Sequence, residues 1–281
     1  MILIDGKATA KKVFDKIKAE TENLDKKPTI AVIIVGEDPA SKIYVNIKHK
    51  KAKELGINSI VIEFDENISQ EELESKINEL NNDDSINAIL VQMPLPKHLN
   101  TYRIIEKIRP IKDVDGFHPE NAGKINIGIE AYAAPCTPLG VMTLLDEYKI
   151  NPEGKHAVII GRSNIVSKPL ASMLLSKNAT VTICHSKTQN LKEIASTADI
   201  LVVATGRAKM ITKDYVKQDA VVIDVGISRD KDGKIHGDVD FDDVAGKTSY
   251  ITPVPGGVGA MTIAMLMQNT LRLYKLQREQ K

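Results

Sequence analysis

Ser41, Tyr44 and Lys48 follow one another at spacings of three and four in "SKIYVNIKHKKAKELG", residues 41–56. On a helix that spacing puts a hydroxyl, an aromatic ring and an amine on one face. The ring could stack on a flat heterocycle while the amine reaches the same ligand. The stretch holds five lysines, however, and a lysine on such a helix is ordinarily a solvated charge. Two distant segments bear on Lys48. "AILVQMPLP" (88–96) reads as a buried strand running into Gln92, and open α/β sheets bind ligands at the carboxyl ends of their strands. A buried amide there needs a hydrogen-bond partner, and loop backbone would serve as well as a ligand. "KDVDGFHP" (112–119) sets Asp113 and Asp115 before a glycine turn, where an Asx-turn is the ordinary reading.

A second candidate lies in "HAVIIGRSNIVSKPLASMLL" (156–175), which reads as strand, turn at Gly161, then helix. That is the setting for a phosphate at a helix N-terminus. Ser163 stands where a GxGxxG fingerprint has its second glycine, so spacing alone leaves an ordinary βα turn open. A site preferring NAD usually carries Asp or Glu about 20 residues downstream, on the ribose. Here "VTICHSKT" (181–188) has no acid. Arg162, Ser186 and Lys187 instead offer cations and a hydroxyl, which suits a 2′-phosphate and favours NADP. A solvated arginine and a turn-capping serine are the plain alternatives.

The elements that must hold these residues alternate. Buried strands are expected at 29–36, 57–64 and 86–96, with helices at 37–56, 69–83 and 100–108 between and after them. Asp38, Pro39 and Gly56 are start and stop signals for the first helix, and Ser69 with Glu72 is a capping box. Residues 110–138 lack periodicity and read as a long functional loop or link. A helix near 138–148 follows. Strands at 156–161, 179–186, 199–206 and 220–226 then alternate with helices from Val166 and Leu191. Residues 228–241 read as a surface hairpin or loop, 251–262 as a Gly/Pro loop and 262–281 as an amphipathic helix. Strands alternating with helices make this an α/β chain of two βαβ domains with parallel sheets.

Composition narrows the classes. A net charge of +1 gives no field for nucleic acid or an anionic membrane. No apolar run approaches the roughly 20 residues of a membrane span. Asp5 interrupts the opening apolar run, so no secretory leader is expected. Cys136 and Cys184 make no disulfide framework and fit a reducing, cytoplasmic setting. With no HExxH, CxxC or His/Asp/Glu cluster, no metal is expected.

Together, "SKIYVNIK", "VQMPLP", "KDVDGFHPENAGK", "PCTPLGVM", "GRSNIVSKP", "TICHSKT", "VIDVGI" and "TPVPGGVGAMT" resemble the bifunctional methylenetetrahydrofolate dehydrogenase/methenyltetrahydrofolate cyclohydrolase family. The resemblance implies a folate-binding catalytic domain over 1–120, completed by the helix 262–281. It also implies a Rossmann-type NADP-binding domain over 140–258, with a folate cleft between the two. It implies a homodimer with a small-molecule folate substrate. The reactions implied are hydride transfer from 5,10-methylenetetrahydrofolate to NADP⁺ and hydrolysis of the resulting 5,10-methenyl cation to 10-formyltetrahydrofolate.

Roles carry over by position. Lys48 matches the catalytic lysine and Gln92 its orienting partner; the methenyl cation and that amide would favour a neutral amine. Tyr44 would stack on the folate, and Val91 and Met93 match further substrate-binding positions. Asp115 would accept hydrogen bonds from the pterin's amino-pyrimidine edge. Pro255, Gly256, Gly257, Val258 and Gly259 match the loop beside the folate. Gly161, Arg162, Ser163, Ser186 and Ile227 match the cofactor positions. Ser167, Ser228 and Ala260 depart from the residues usual in the family. Three rivals stand beside this reading: another two-domain NADP-dependent dehydrogenase of shikimate type, a folate- or nucleotide-binding protein with no turnover, and a cyclohydrolase with a weak or NAD-linked dehydrogenase.

Overall fold

The chain opens on β1 (Ile2–Leu3) and α1 (Gly6–Glu22) of a computed structural model that describes residues 1–230 and 232–279. The sequence reading misses both. The signal for α1 is nevertheless present, since Ala10, Ile17 and Thr21 recur at helical spacing and are buried. All seven residues of β2 (Thr29–Val35) are buried, as its apolar run requires. In α2 (Pro39–Glu54) the Asp38 side chain accepts from Ser41 N at 2.8 Å, and Pro39 occupies the first turn. β3 (Asn58–Phe64) follows.

Next comes α3 (Gln70–Asn82), with a complete capping box: Glu72 N donates to Ser69 Oγ at 3.2 Å, and Ser69 N to Glu72 Oε2 at 3.0 Å. Ser69→Ala should therefore cost about 1 kcal/mol of stability, read as a lowered denaturant midpoint at unchanged m-value.

β4 (Ala88–Val91) is shorter than the 86–96 expected. Pro94 and Pro96 lack the N–H that a ladder needs, so the strand ends before them. Asn100 caps α4 (Thr101–Lys107) by accepting from Tyr102 N and Arg103 N at 3.1 and 3.2 Å. The stretch expected to be a loop contains a 3₁₀ turn at Pro110–Lys112 and α5 (Pro119–Asn126). These are organised by a side-chain network rather than by periodicity. Fully buried Asn121 donates to Pro110 O at 3.0 Å and to Asp113 Oδ2 at 2.9 Å, and accepts from Tyr132 N at 3.1 Å.

The remaining elements are α6 (Cys136–Glu147), β5 (His156–Ile160), α7 (Ser167–Leu175), β6 (Thr180–Cys184), α8 (Leu191–Ala195), β7 (Ile200–Val203), β8 (Ala220–Asp224), β9 (Ser228–Arg229), β10 (Ile235–His236), α9 (Phe241–Val244), β11 (Thr248–Ile251) and α10 (Val258–Glu279). β9 and β10 form an antiparallel hairpin. Lys231 within the expected hairpin, and residues 280 and 281 of the expected last helix, lie outside the described residues. β11 is absent from the sequence reading, which begins its Gly/Pro loop at residue 251. Among the described residues no helix is long and apolar enough to cross a membrane.

The chain divides into two compact units. One comprises Met1–Lys11, Ile125–Ile129 and Pro135–Met265; the other comprises Lys12–Lys124, Glu130–Ala134 and the chain from Leu266 onward. The first unit carries a six-stranded sheet in the order β1-β11-β8-β7-β5-β6, parallel throughout. The chain moves from β5 to β6 on one side and then to β7 on the other, so the switch point of this sheet falls between β5 and β7. Its core is aliphatic, with Val158, Leu201, Val203 and Val222 at 0% exposure. The second unit carries a three-stranded parallel sheet in the order β3-β2-β4, with β2 central. Ile33, Leu73, Ile77 and Ile104 form part of its core, and each such buried side chain contributes roughly 1.5–3 kcal/mol. Both sheets present their carboxyl ends to the residues singled out above.

Candidate active site

In the three-stranded unit the lysines of α2 separate by partner. Lys42 pairs with Glu37, Lys51 pairs with Glu54 and lies over the Phe14 ring at 4.9 Å, and Lys50 and Lys53 are exposed. Lys48 is half-buried, and its Nζ donates to Gln92 Oε1 at 2.9 Å. Gln92 N makes the ladder bond to Ile33 O at 2.8 Å just past β4, and its Nε2 donates to Met93 O at 2.7 Å. The amide is thus held at both ends, with its oxygen aimed at the amine. Tyr44 is 39% exposed one turn earlier, with its ring open to a ligand, and Val91 and Met93 flank the amide. The Met93–Pro94 peptide is cis.

The two aspartates of "KDVDGFHP" differ. Asp113 is 2% exposed and accepts from His118 N at 2.8 Å and from Asn121 Nδ2 at 2.9 Å. Burial raises its pKa, and the hydrogen bonds from Asn121 and His118 oppose that shift. Asp113 pairs in parallel with Ile89, which carries the following residues along β4 toward Gln92. Asp115 is half-buried at that end. The turn is braced by a residue the sequence reading missed. Asn269 of α10, 2% exposed, donates to Val114 O and to Ala134 O, each at 2.9 Å. A polar side chain on the buried face of α10, beside Leu266, Thr270 and Leu273, was the available signal.

In the six-stranded unit, Gly161 leaves β5 at the switch point with φ +145. A Cβ there would lie 2.5 Å from Ala204 O and 2.7 Å from Ser167 Oγ, so the position accepts no side chain. Ser163 Oγ accepts from Val166 N at 3.1 Å and from Ser167 N at 3.3 Å, which caps the entry to α7. Ser167 is fully buried, and its hydroxyl has no hydrogen-bond partner among the described residues. Ile160 pairs with Cys184, so Arg162 and Ser186 leave adjacent strands at matching heights. Both are exposed, as is Lys187, and no carboxylate follows directly on β6. A glycine cradle with a cationic, hydroxyl-bearing rim fits a dinucleotide with a 2′-phosphate.

Pro255–Gly259 belongs to this same unit. Its backbone is fastened by Lys7 N donating to Gly256 O at 3.1 Å, and Val258 begins α10 from a buried position. The Val254–Pro255 peptide is cis. A Cβ on Gly259 would meet Ile227 Cδ1 at 3.1 Å, so the expected folate loop touches an expected cofactor position. Ile227 itself is 47% exposed. Tyr44, Lys48, Val91, Gln92, Met93 and Asp115 fall together in the other unit. No group of three or more His, Cys, Asp or Glu among the described residues could hold a metal ion.

Comparison with known proteins bears on both units. Residues 4–115 match the family model described as the tetrahydrofolate dehydrogenase/cyclohydrolase catalytic domain, and residues 135–278 match its NAD(P)-binding domain. The chain is 55% identical to the bifunctional protein FolD of Campylobacter concisus over 274 residues, 96% of each chain. The crystal structure of the bifunctional enzyme FolD, methylenetetrahydrofolate dehydrogenase/cyclohydrolase, from Campylobacter jejuni is 51% identical. It aligns with a TM-score of 0.97 over 98% of this chain and 99% of that one. The Trypanosoma brucei N5,N10-methylenetetrahydrofolate dehydrogenase-cyclohydrolase, complexed with NADP and an inhibitor, is 36% identical with a TM-score of 0.94 over 98% of each chain. With both of its units matched and more than half of its residues shared with such relatives, this chain belongs to the tetrahydrofolate dehydrogenase/cyclohydrolase family.

Proposed function

We propose that the chain is a bifunctional enzyme of one-carbon folate metabolism. It oxidises 5,10-methylenetetrahydrofolate to 5,10-methenyltetrahydrofolate with NADP⁺ and hydrolyses that product to 10-formyltetrahydrofolate. The observation that carries this reading is the Lys48–Gln92 hydrogen bond of 2.9 Å at the carboxyl end of β4, in a chain of this family.

NADP⁺, when bound, accepts the hydride that leaves the methylene carbon. The chain's own residues bind and orient. Gly161 lets backbone approach the pyrophosphate, Ser163 holds the turn, and Arg162 and Ser186 face the 2′-phosphate. Ile227 packs on the cofactor. Tyr44 stacks on the pterin, Val91 and Met93 line the substrate beside Gln92, and Asp115 accepts from the amino-pyrimidine edge. Pro255, Gly256, Gly257, Val258 and Gly259 bring backbone close to the folate.

In the hydrolytic step water adds to the cationic bridging carbon and loses a proton. One carbon–nitrogen bond then breaks as that nitrogen gains a proton and the adduct's hydroxyl loses its own to become the formyl carbonyl, so one proton is released overall. Lys48 carries protons in this exchange and Gln92 fixes its amine in place. The enzyme works in the cytoplasm as a homodimer; two buried free cysteines and the common habit of the family support that view.

The test is hydrolysis of methenyltetrahydrofolate with no cofactor present. Turnover well above the buffer rate is expected, and a rate equal to buffer would refute the cyclohydrolase half. Arg162→Ala should raise the apparent KM for NADP⁺ by about tenfold or more, in line with loss of a charge-assisted contact, and leave that for NAD⁺ nearly unchanged. Equal effects on both would remove Arg162 from the 2′-phosphate site.

A further inference from the structure

Asp238 is fully buried in the segment that follows β10. Its Oδ2 accepts from Thr205 N at 2.5 Å and from Gly206 N at 2.9 Å, the two residues beyond Ala204 at the carboxyl end of β7. Its Oδ1 has no hydrogen-bond partner among the described residues. That oxygen lies against Gly226, where a Cβ would sit 2.2 Å away. Asp224, at the end of β8, is 3% exposed. It accepts from Gly226 N at 2.9 Å, Asp238 N at 3.0 Å and Val239 N at 2.9 Å. A Cβ on Gly237 would lie 1.9 Å from Asp224 Oδ2, so glycine flanks this carboxylate as well. Burial pushes the Asp224 carboxyl up to about 6 despite its three N–H donors, and the neighbouring Asp238 charge adds to the rise.

Two buried carboxylates and two obligatory glycines are a costly way to fill a core, which apolar side chains would fill more stably. Their five backbone donors show what they achieve. The pair ties the 205–206 turn after β7 to the 226 turn after β8, through the chain at 238–239. Both turns stand at carboxyl ends on the β7 side of the switch point, whereas Arg162 and Ser186 stand at the ends of β5 and β6. A dinucleotide whose 2′-phosphate lies at β5–β6 crosses the switch point toward β7 and β8 with its nicotinamide half. Ile227 directly follows Gly226.

We propose that Asp238 is a positioning residue for that half of the dinucleotide: it pre-sets the Thr205–Gly206 and Gly226–Ile227 backbone before NADP⁺ arrives. The proposal rests on the NADP reading above. In Asp238→Asn the side chain keeps its size, but an amide N–H₂ must enter either the slot against Gly226 or the one facing Thr205 and Gly206. The expected result is a KM for NADP⁺ raised about tenfold or more, kcat at saturating NADP⁺ within about threefold, and cofactor-free hydrolysis of methenyltetrahydrofolate unchanged. An unchanged KM overturns the proposal, and so does a parallel fall in hydrolysis, which would mark a role in general folding. If the wild-type enzyme itself neither binds nor reduces NADP⁺, it is the functional reading that fails. A second measurement needs no variant. In the wild-type protein without cofactor, the Thr205 and Gly206 amides should exchange with deuterium as slowly as those of β7, and fast exchange there would overturn the pre-set brace.

Discussion

Lys48→Met is expected to slow hydrolysis of methenyltetrahydrofolate by about 10²–10⁴-fold, the range that positioned acid–base groups supply. Methionine retains the unbranched stem of lysine, so packing along α2 is kept while the amine is lost. The Gln92 amide would lose one acceptor contact at 2.9 Å but keep its donor bond to Met93 O at 2.7 Å. The local fold therefore has little reason to change. NADP⁺ affinity should stay within about twofold, because the residues proposed to bind it belong to the other unit. Lys50→Met, on the same helix but exposed, should leave hydrolysis unchanged. Full hydrolytic activity in Lys48→Met would return Lys48 to the solvated lysines around it.

Gly161→Ala should damage the six-stranded unit far more than the addition of one methyl group suggests. The φ of +145 alone strains any residue with a Cβ, by about 1–3 kcal/mol. The new methyl would also fall 2.5 Å from Ala204 O, a backbone atom held by Ala204 N donating to Ile160 O at 2.8 Å. Neither strand can yield without opening the sheet, and overpacking adds about 1–3 kcal/mol. A total of about 2–6 kcal/mol is expected, seen as an early melting transition and loss of NADP⁺-dependent turnover. Gly154 separates conformational strain from crowding. It has φ +70 with nothing within 4 Å of a Cβ, so Gly154→Ala should cost about 1 kcal/mol. Equal losses in the two variants would contradict the crowding account.

Local chemistry was legible from sequence and tertiary reach was not. Asp38, Pro39 and the Ser69–Glu72 box act within four residues, and the structure places each as the capping rules require. The buried strands were visible because parallel strands covered on both faces read as continuous apolar runs. β1 and β11 went unseen because they are two and four residues long and exist through pairing with each other and with β8. α5 went unseen because Asn121, rather than an apolar stripe, holds it in place.

The candidate site divides in the same way. Gln92 could be suspected as a polar residue ending an apolar strand, and helical spacing nominated Lys48. Nothing in the spacing joins residues 48 and 92; only the family resemblance implies that pairing. Spacing did not separate Asp113 from Asp115, and only the resemblance singled out Asp115; the structure gives Asp113 its own contacts with His118 and Asn121. Asn269 and Asp238 were missed because their partners lie far away along the chain, at Val114, Ala134, Thr205 and Gly206.

The central claim is that one chain carries a folate oxidation and the hydrolysis that follows it. The most direct measurement incubates the purified protein with 5,10-methylenetetrahydrofolate and NADP⁺, recording NADPH by absorbance and identifying the folate product by chromatography. The account predicts one NADPH per folate consumed and 10-formyltetrahydrofolate as the end product, with NADP⁺ used in preference to NAD⁺. Absence of NADPH, or of a formyl product above the buffer rate, would contradict it.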